Sequence, residues 1–120
     1  TRRDLQLAAR EKGRPWDLGK SFEKSAVIGE MTKAADFGEI GRQRIWLTVN
    51  DETKQDAKLT ELIWNVPEII SPLSGYYPLI PGDLIYTGTP AGVGPVVAGD
   101  VLNGGIDGLA PISLTIGDAE

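Results

Sequence analysis

The chain has 120 residues, 41% hydrophobic and 24% charged, ordinary proportions for a globular domain or a piece of one. Twelve basic against 17 acidic side chains give a formal charge of −5 and a pI near 4.7, which argues against nucleic acid or an anionic membrane as the main partner. Zero Cys and zero His exclude disulfides, thiolate nucleophiles, the Ser-His-Asp triad and every His- or Cys-ligated zinc site. Chemistry within the segment must use Asp, Glu, Lys, Arg, Tyr, Thr, Gln or backbone amides, and a metal held by oxygens alone would be hard: Mg²⁺, Mn²⁺ or Ca²⁺. No apolar run approaches the length of a membrane-spanning helix, and none reads as a signal-peptide core. The lack of Cys suits a cytoplasmic protein.

In chain order, residues 1–16 read as a short helix. Thr1 and Asp4 resemble a capping box, and Leu5, Ala8 and Ala9 give an apolar stripe. Lys12 suits the helix dipole, and Gly13 then Pro15 stop the helix. Residues 16–31 are too rich in Gly and polar groups for a long element and read as a loop, and 35–43 carry a turn. RIWLTVN (44–50) alternates as a strand, Asn50–Asp51 is a hairpin turn, and ETKQDAKL (52–59) returns. Residues 60–76 place Leu62, Ile63, Val66, Ile69, Ile70 and Leu73 near a 3.6 period, a helix that Pro67 and Pro72 would kink or break. GDLIYTG (82–88), DVLNGGI (100–106) and LAPISLTIG (109–117) read as strands with Gly/Pro-rich connections. The class is α+β and strand-rich. So few strands cannot close a barrel of useful size, so the pattern predicts open edges and a fragment of something larger. Trp46 and Trp64, among apolar neighbours, are candidate core residues.

Three constellations could carry chemistry. Arg3 and Gln6 are three apart on the first helix, and an Arg fork beside a Gln amide suits a carboxylate and a neighbouring carbonyl. By spacing alone the plainer reading is a solvated helix face. Lys20 lies between Leu18 and Phe22, where a partly desolvated ammonium could oppose a developing enolate; the plainer reading is a surface Lys in a loop. The run from Tyr86 to Val97 offers Gly88, Gly92 and Gly94 for close backbone approach, and Thr89 offers a hydroxyl and an N–H for an anionic oxygen. It matches neither a phosphate loop nor the dinucleotide fingerprint, and a tight Gly-Pro turn between strands has the same composition. Asp51, Glu52 and Asp56 lack calcium-loop spacing and read as solvated.

Together these pieces resemble the C-terminal motifs of the fumarylacetoacetate hydrolase (FAH) family. The motifs are TRRDLQ at 1–6, GRPWDLGKSF at 13–22, VNDETKQ at 49–55, GDLIYTGTPAGVGP at 82–95 and the closing Asp100-x-Leu-x-x-Gly-Ile-Asp-Gly-Leu run. KSF followed about seventy residues later by TGTP-x-GVG is far more specific than either alone. The resemblance covers essentially the whole chain, reading 1–120 as the C-terminal part of one catalytic domain, and is strongest to the family's acylpyruvase and fumarylpyruvate hydrolase members.

The resemblance implies a mixed β-roll or barrel, present here in part, around Mg²⁺ or Mn²⁺ and in a homodimer. The implied substrate is a small 2-oxo acid. Water attacks the distal carbonyl of a 1,3-dioxo acid, and C–C cleavage expels a pyruvate enolate. Arg3 and Gln6 are implied to contact the 2-oxo acid, Lys20 to sit beside the enolate, and Thr89 with Gly88 to bind the carboxylate end. Lys20 and Thr89 are thereby expected to converge on one cation. The family holds its metal with a Glu-x-Glu pair and an Asp, and activates water with a Glu–His dyad. The pair and the dyad are expected upstream and the Asp just before the residue matching Thr1, so the chain is expected to be inactive alone. Decarboxylases, isomerases or hydratases of 2-oxo acids on the same fold are the first alternative, and a non-enzymatic binding module is the second.

Overall fold

In the computed structural model, which describes residues 1–118, four strands form one open sheet. β1 (Arg44–Val49) lies between β2 (Glu52–Lys58) and β3 (Val101–Ile106), and β4 (Ile112–Thr115) pairs with β3, giving the order β2-β1-β3-β4. Every pairing among the described strands is antiparallel, an open four-strand sheet within the α+β, strand-rich class expected. The β1–β2 turn is the anticipated Asn50–Asp51 pair, both left-handed at φ 49° and 64°, which matches the twist of the flanking strands. Asn50 ties this turn to the start of β3. Its side-chain amide donates to Asp100 Oδ1 at 2.8 Å, and its side-chain carbonyl accepts from the Val101 N–H at 2.9 Å.

Strand alternation gives the sheet two different faces. On one, Ile45, Leu47, Leu102, Ile106, Ile112 and Leu114 line a depression of about 420 Å³. Leu47 stands opposite Gln55 on β2 and Gly104 on β3, so Gln55 is a polar side chain set into an apolar face. The segment around Gly29 crosses this face: a Cβ on Gly29 would come within 2.9 Å of Ile112. On the other face Arg44 grips Asp56 with two hydrogen bonds, 2.8 and 2.9 Å, and its guanidinium sits 5.9 Å from the Trp46 ring centre. That hydrogen-bonded pairing raises the Arg44 pKa and lowers that of Asp56. Both side chains are about half exposed, so the pair contributes little to stability.

The helices lie outside the sheet. α1 (Arg3–Glu11) ends as expected, with Lys12 as its C-terminal cap and Gly13 left-handed at φ 60°. The expected capping box does not form: Arg2 occupies the cap position with no side-chain cap bond, and the Thr1 hydroxyl accepts from Lys20 Nζ instead. Leu5 and Ala9 are half-buried and Ala8 is exposed, while Gln6 is the buried residue of α1. α2 (Asp17–Lys20) and α3 (Ala34–Phe37) are single turns within stretches read as loop and turn.

The helix expected over 60–76 forms only in its second half. A short 3-10 turn covers Leu59–Glu61, and α4 runs Val66–Tyr76. Pro67 starts α4 rather than breaking it. The Asn65 side chain accepts from the Glu68 N–H at 2.9 Å, and the Glu68 carboxylate accepts from the Asn65 N–H at 2.8 Å, a reciprocal cap that defines this start. Pro72 lies inside the helix. GDLIYTG, expected as a strand, is irregular: residues 83–88 belong to no described strand, because no partner strand is offered to them.

Among the described residues no hydrophobic side chain is fully buried, and Trp64, expected in a core, is 63% exposed. The radius of gyration, 15.9 Å, exceeds the roughly 13.6 Å of a compact chain of this length. Both edges of the sheet, β2 and β4, lack a further strand among the described residues.

Asp100 gives the fold a pH signature. The Val97 N–H and then the Asn50 amide hold its carboxyl below the ordinary carboxylate range. Its charge therefore supports the folded state above the ordinary pKa near 3.9, and that support is lost as pH falls through the lowered folded value. In the protein at its natural length, Asp100→Asn is expected to flatten the fall of the urea midpoint between about pH 5 and pH 3. An acid limb identical to wild type would remove Asp100 from the account.

Candidate functional site

The expected site residues fall into two groups. The first is built by α1 and α2. The Arg2 N–H donates to the Gly19 carbonyl at 3.0 Å, and Gly19 lies so close to α1 that a Cβ there would sit 3.0 Å from the Gln6 nitrogen and 3.1 Å from the Arg2 oxygen. Both neighbours are backbone and cannot swing aside, so only glycine lets the two helices meet here. This contact brings the next residue, Lys20, to the start of α1, where its ammonium donates to Thr1 Oγ1 at 3.1 Å. Arg3 and Gln6 share a helix face, with Arg3 NH1 3.5 Å from Gln6 Oε1. The Arg fork and the amide thus lie together on α1, and the Lys20 ammonium lies at the start of the same helix.

The expected desolvation of Lys20 is absent in this chain. Lys20 is exposed, and Leu18, expected to shield it, is 72% exposed. The shielding requires apolar groups that this segment does not bring to Lys20.

The second group surrounds Thr89. Residues 86–92 run beside the free edge of β2, and Gly88, Thr89 and Pro90 border both the 420 Å³ depression and a second one of about 680 Å³. Gly88 has φ 103° and Gly92 φ 100°, a region side-chain-bearing residues rarely adopt. Gly92 passes so near β2 that a Cβ would run into the Lys54 carbonyl. Gln55, buried on β2, reaches across with its Nε2 to Thr89 Oγ1 at 2.9 Å, to the Pro90 carbonyl at 2.8 Å and to the Ala91 carbonyl at 3.4 Å. Gly88 and Thr89 are thus held in one strapped loop, rather than in a turn between paired strands. Gln55 was not singled out from the sequence. Its signals were its place at the end of the VNDETKQ motif and in the alternation of β2, a polar residue where the sheet's apolar face needs a side chain.

The two groups do not meet in this chain. Neither depression takes lining from Arg3, Gln6 or Lys20, and both Lys20 and Thr89 are exposed. The expected convergence of Lys20 and Thr89 is therefore not seen among the described residues. Nor do the described residues hold a metal site: no three acidic side chains cluster, and Asp51, Glu52 and Asp56 lie exposed along the β1–β2 hairpin. Two of them are already engaged, Asp56 by Arg44 and Glu52 by Lys54 at 2.6 Å. The residues present do not fit a bound Mg²⁺ or Mn²⁺.

Residues 1–117 match the family described as fumarylacetoacetate (FAA) hydrolase, C-terminal. The chain is 58% identical over its full length to a fumarylpyruvate hydrolase of a Ralstonia species, covering 62% of that protein. It is 38% identical to the mitochondrial oxaloacetate tautomerase FAHD1 of Mus musculus, again along the whole chain and over 54% of that protein. The crystal structure of fumarylpyruvate hydrolase from Pseudomonas aeruginosa, in complex with Mn²⁺ and pyruvate, superimposes with a TM-score of 0.93 at 46% identity, covering 99% of this chain and 51% of that one. The chain thus spans between about half and three fifths of the length of these relatives.

The strapped loop makes a paired prediction. Gly92→Ala forces both a left-handed alanine and a clash with backbone, whereas a Cβ on Gly94 meets nothing within 4 Å. In the protein at its natural length, Gly92→Ala is expected to cost about 1–3 kcal/mol of stability and Gly94→Ala less than about 1 kcal/mol, read as melting shifts. Equal shifts would show that the loop does not lie against β2.

Proposed function

Since the chain belongs to the fumarylacetoacetate hydrolase family, we propose that the protein hydrolyses a C–C bond in acylpyruvates, 1,3-dioxo acids such as fumarylpyruvate. The proposal concerns the protein at its natural length, with residues 1–120 as the C-terminal part of its catalytic domain. A divalent cation, Mg²⁺ or Mn²⁺, belongs to the proposal, with its ligands outside this chain; the Mn²⁺ and pyruvate of the P. aeruginosa relative support it. A homodimer belongs to it as well, supported by exposed apolar groups such as Ile63, Trp64 and Tyr77 that a second copy would cover.

In the reaction, the bond between pyruvyl C3 and the acyl carbon breaks. The hydroxyl of water joins the acyl carbon to give a carboxylic acid, and its proton ends on C3 to give pyruvate. Charge builds on the enolate oxygen, and the Lys20 ammonium is the group of this chain suited to offset it. Arg3 and Gln6 contact the 2-oxo acid as fork and amide. Thr89 and Gly88 take the carboxylate end through the hydroxyl and backbone. The observation that carries this reading is the docking of α2 on α1 through Gly19, which brings Lys20 to the start of the helix that bears Arg3 and Gln6.

The mouse tautomerase relative favours a second reading, keto–enol isomerisation of a 2-oxo acid, in which the same enolate charge must be held. A panel of acylpyruvates and oxaloacetate, assayed with Mn²⁺ at natural length, separates the two. Pyruvate release from an acylpyruvate is expected, and Lys20→Ala is expected to lower kcat by about 10²-fold or more. Unchanged kcat in that variant would remove Lys20 from the chemistry. Tautomerisation without cleavage would install the second reading, and no turnover of any member would leave a binding module.

A further inference from the structure

The hydrogen-bond pattern around Gln55 determines more than the position of a loop. The carbonyls of Pro90 and Ala91 can only accept, so the group of Gln55 that faces them must be its NH₂. That fixes the flip of the amide. One N–H goes to Pro90 at 2.8 Å and the other to Thr89 Oγ1 at 2.9 Å, with the Ala91 carbonyl a longer third partner at 3.4 Å. Thr89 is therefore the acceptor in its bond to Gln55, and its own O–H proton remains unspent. No other hydrogen bond of this hydroxyl occurs among the described residues, and Thr89 is exposed where the two depressions meet.

We propose that Gln55 is a positioning residue that presents the Thr89 hydroxyl as a hydrogen-bond donor to an anionic oxygen of the substrate. Without Gln55 the hydroxyl can rotate and offer a lone pair, which repels a carboxylate. With it, the oxygen is occupied from behind and the proton faces outward. Gln55 is itself fixed. It is buried on β2 opposite Leu47, among the apolar residues of the sheet, and the approach of Gly92 to the Lys54 carbonyl holds the loop against the same strand. Its burial without a partner would be costly, so the three acceptors of the 89–91 segment and the Gln55 amide order one another.

This inference rests on the assignment of Thr89 to the substrate carboxylate, and the experiment separates failure of one from failure of the other. Gln55→Leu, Thr89→Val and the double variant are compared with wild type at natural length, using acylpyruvate turnover with Mn²⁺ and melting curves. A donor to the carboxylate acts in ground and transition states alike, so KM should rise about tenfold in each single variant while kcat changes less than about twofold. The double variant should be no worse than Thr89→Val alone, because Gln55 acts through Thr89. Thr89→Ser, which keeps the hydroxyl, should recover most of the KM lost in Thr89→Val, and a Ser variant as impaired as Val would overturn the donor role.

KM changes that multiply in the double variant, or a normal KM in Gln55→Leu beside a raised one in Thr89→Val, would overturn the positioning role. A normal KM in Thr89→Val would sink the carboxylate assignment, and this inference with it. If Gln55→Leu does not fold, Gln55→Glu carries the comparison. It has the same size but accepts, so it should turn the Thr89 proton inward and raise KM at least as far; a wild-type KM there overturns the proposal.

Discussion

The backbone ladder of β1 with β2 and β3 is the constraint on which the rest of this chain depends. No hydrophobic side chain is fully buried among the described residues, so the usual adhesive of a domain of this size is incomplete. What remains is directional. Hydrogen bonds build the sheet, tie the Asn50–Asp51 turn to β3, dock α2 on α1 and strap the 89–91 segment to β2. Each candidate site group hangs from one of these links rather than from a packed core. Among the described residues the sheet has an apolar face and two edges without a further strand, features that interaction surfaces share.

In the proposed reaction, covering this face would bear on chemistry as well as stability. An ammonium beside a developing enolate is effective when water is excluded, and Lys20 is exposed in this chain. Likewise a hydroxyl that donates to a carboxylate gains strength as the site dries. The chain supplies oriented groups, two sets of them on separate scaffolds. The relatives it matches are longer by roughly a third to a half of their own length. Sheet edges, apolar face and Lys20 share one feature among the described residues: each is exposed.

Glycine placement links these scaffolds to sequence. Gly19 and Gly92 are fixed by different physics: the first because α1 backbone lies 3.0 Å from where a side chain would begin, the second because the chain is left-handed and also abuts the Lys54 carbonyl. In both cases a tertiary approach, not a local turn, demands the absence of a side chain. A reading of composition alone sees loop signals at both places and cannot tell a punctuation glycine from a contact glycine.

By itself the sequence determined the local elements whose causes are local. The alternation of 44–50, the Asn-Asp turn, the return strand and the stop at Gly13 all follow from period and φ preference, and each formed as expected. It also pointed to the family, which the match over residues 1–117 shows. It misjudged what depends on partners. Residues 83–88 carry strand-forming side chains but found no strand to pair with, and Trp64 had apolar neighbours in sequence but none to bury it in space. Pro67 was read as a breaker because its effect depends on position in the helix, and the Asn65–Glu68 cap set that position. Only the tertiary structure decided that Gln55 faces the Thr89 loop, since residues 34 apart meet through strand pleat and loop approach that no local pattern encodes.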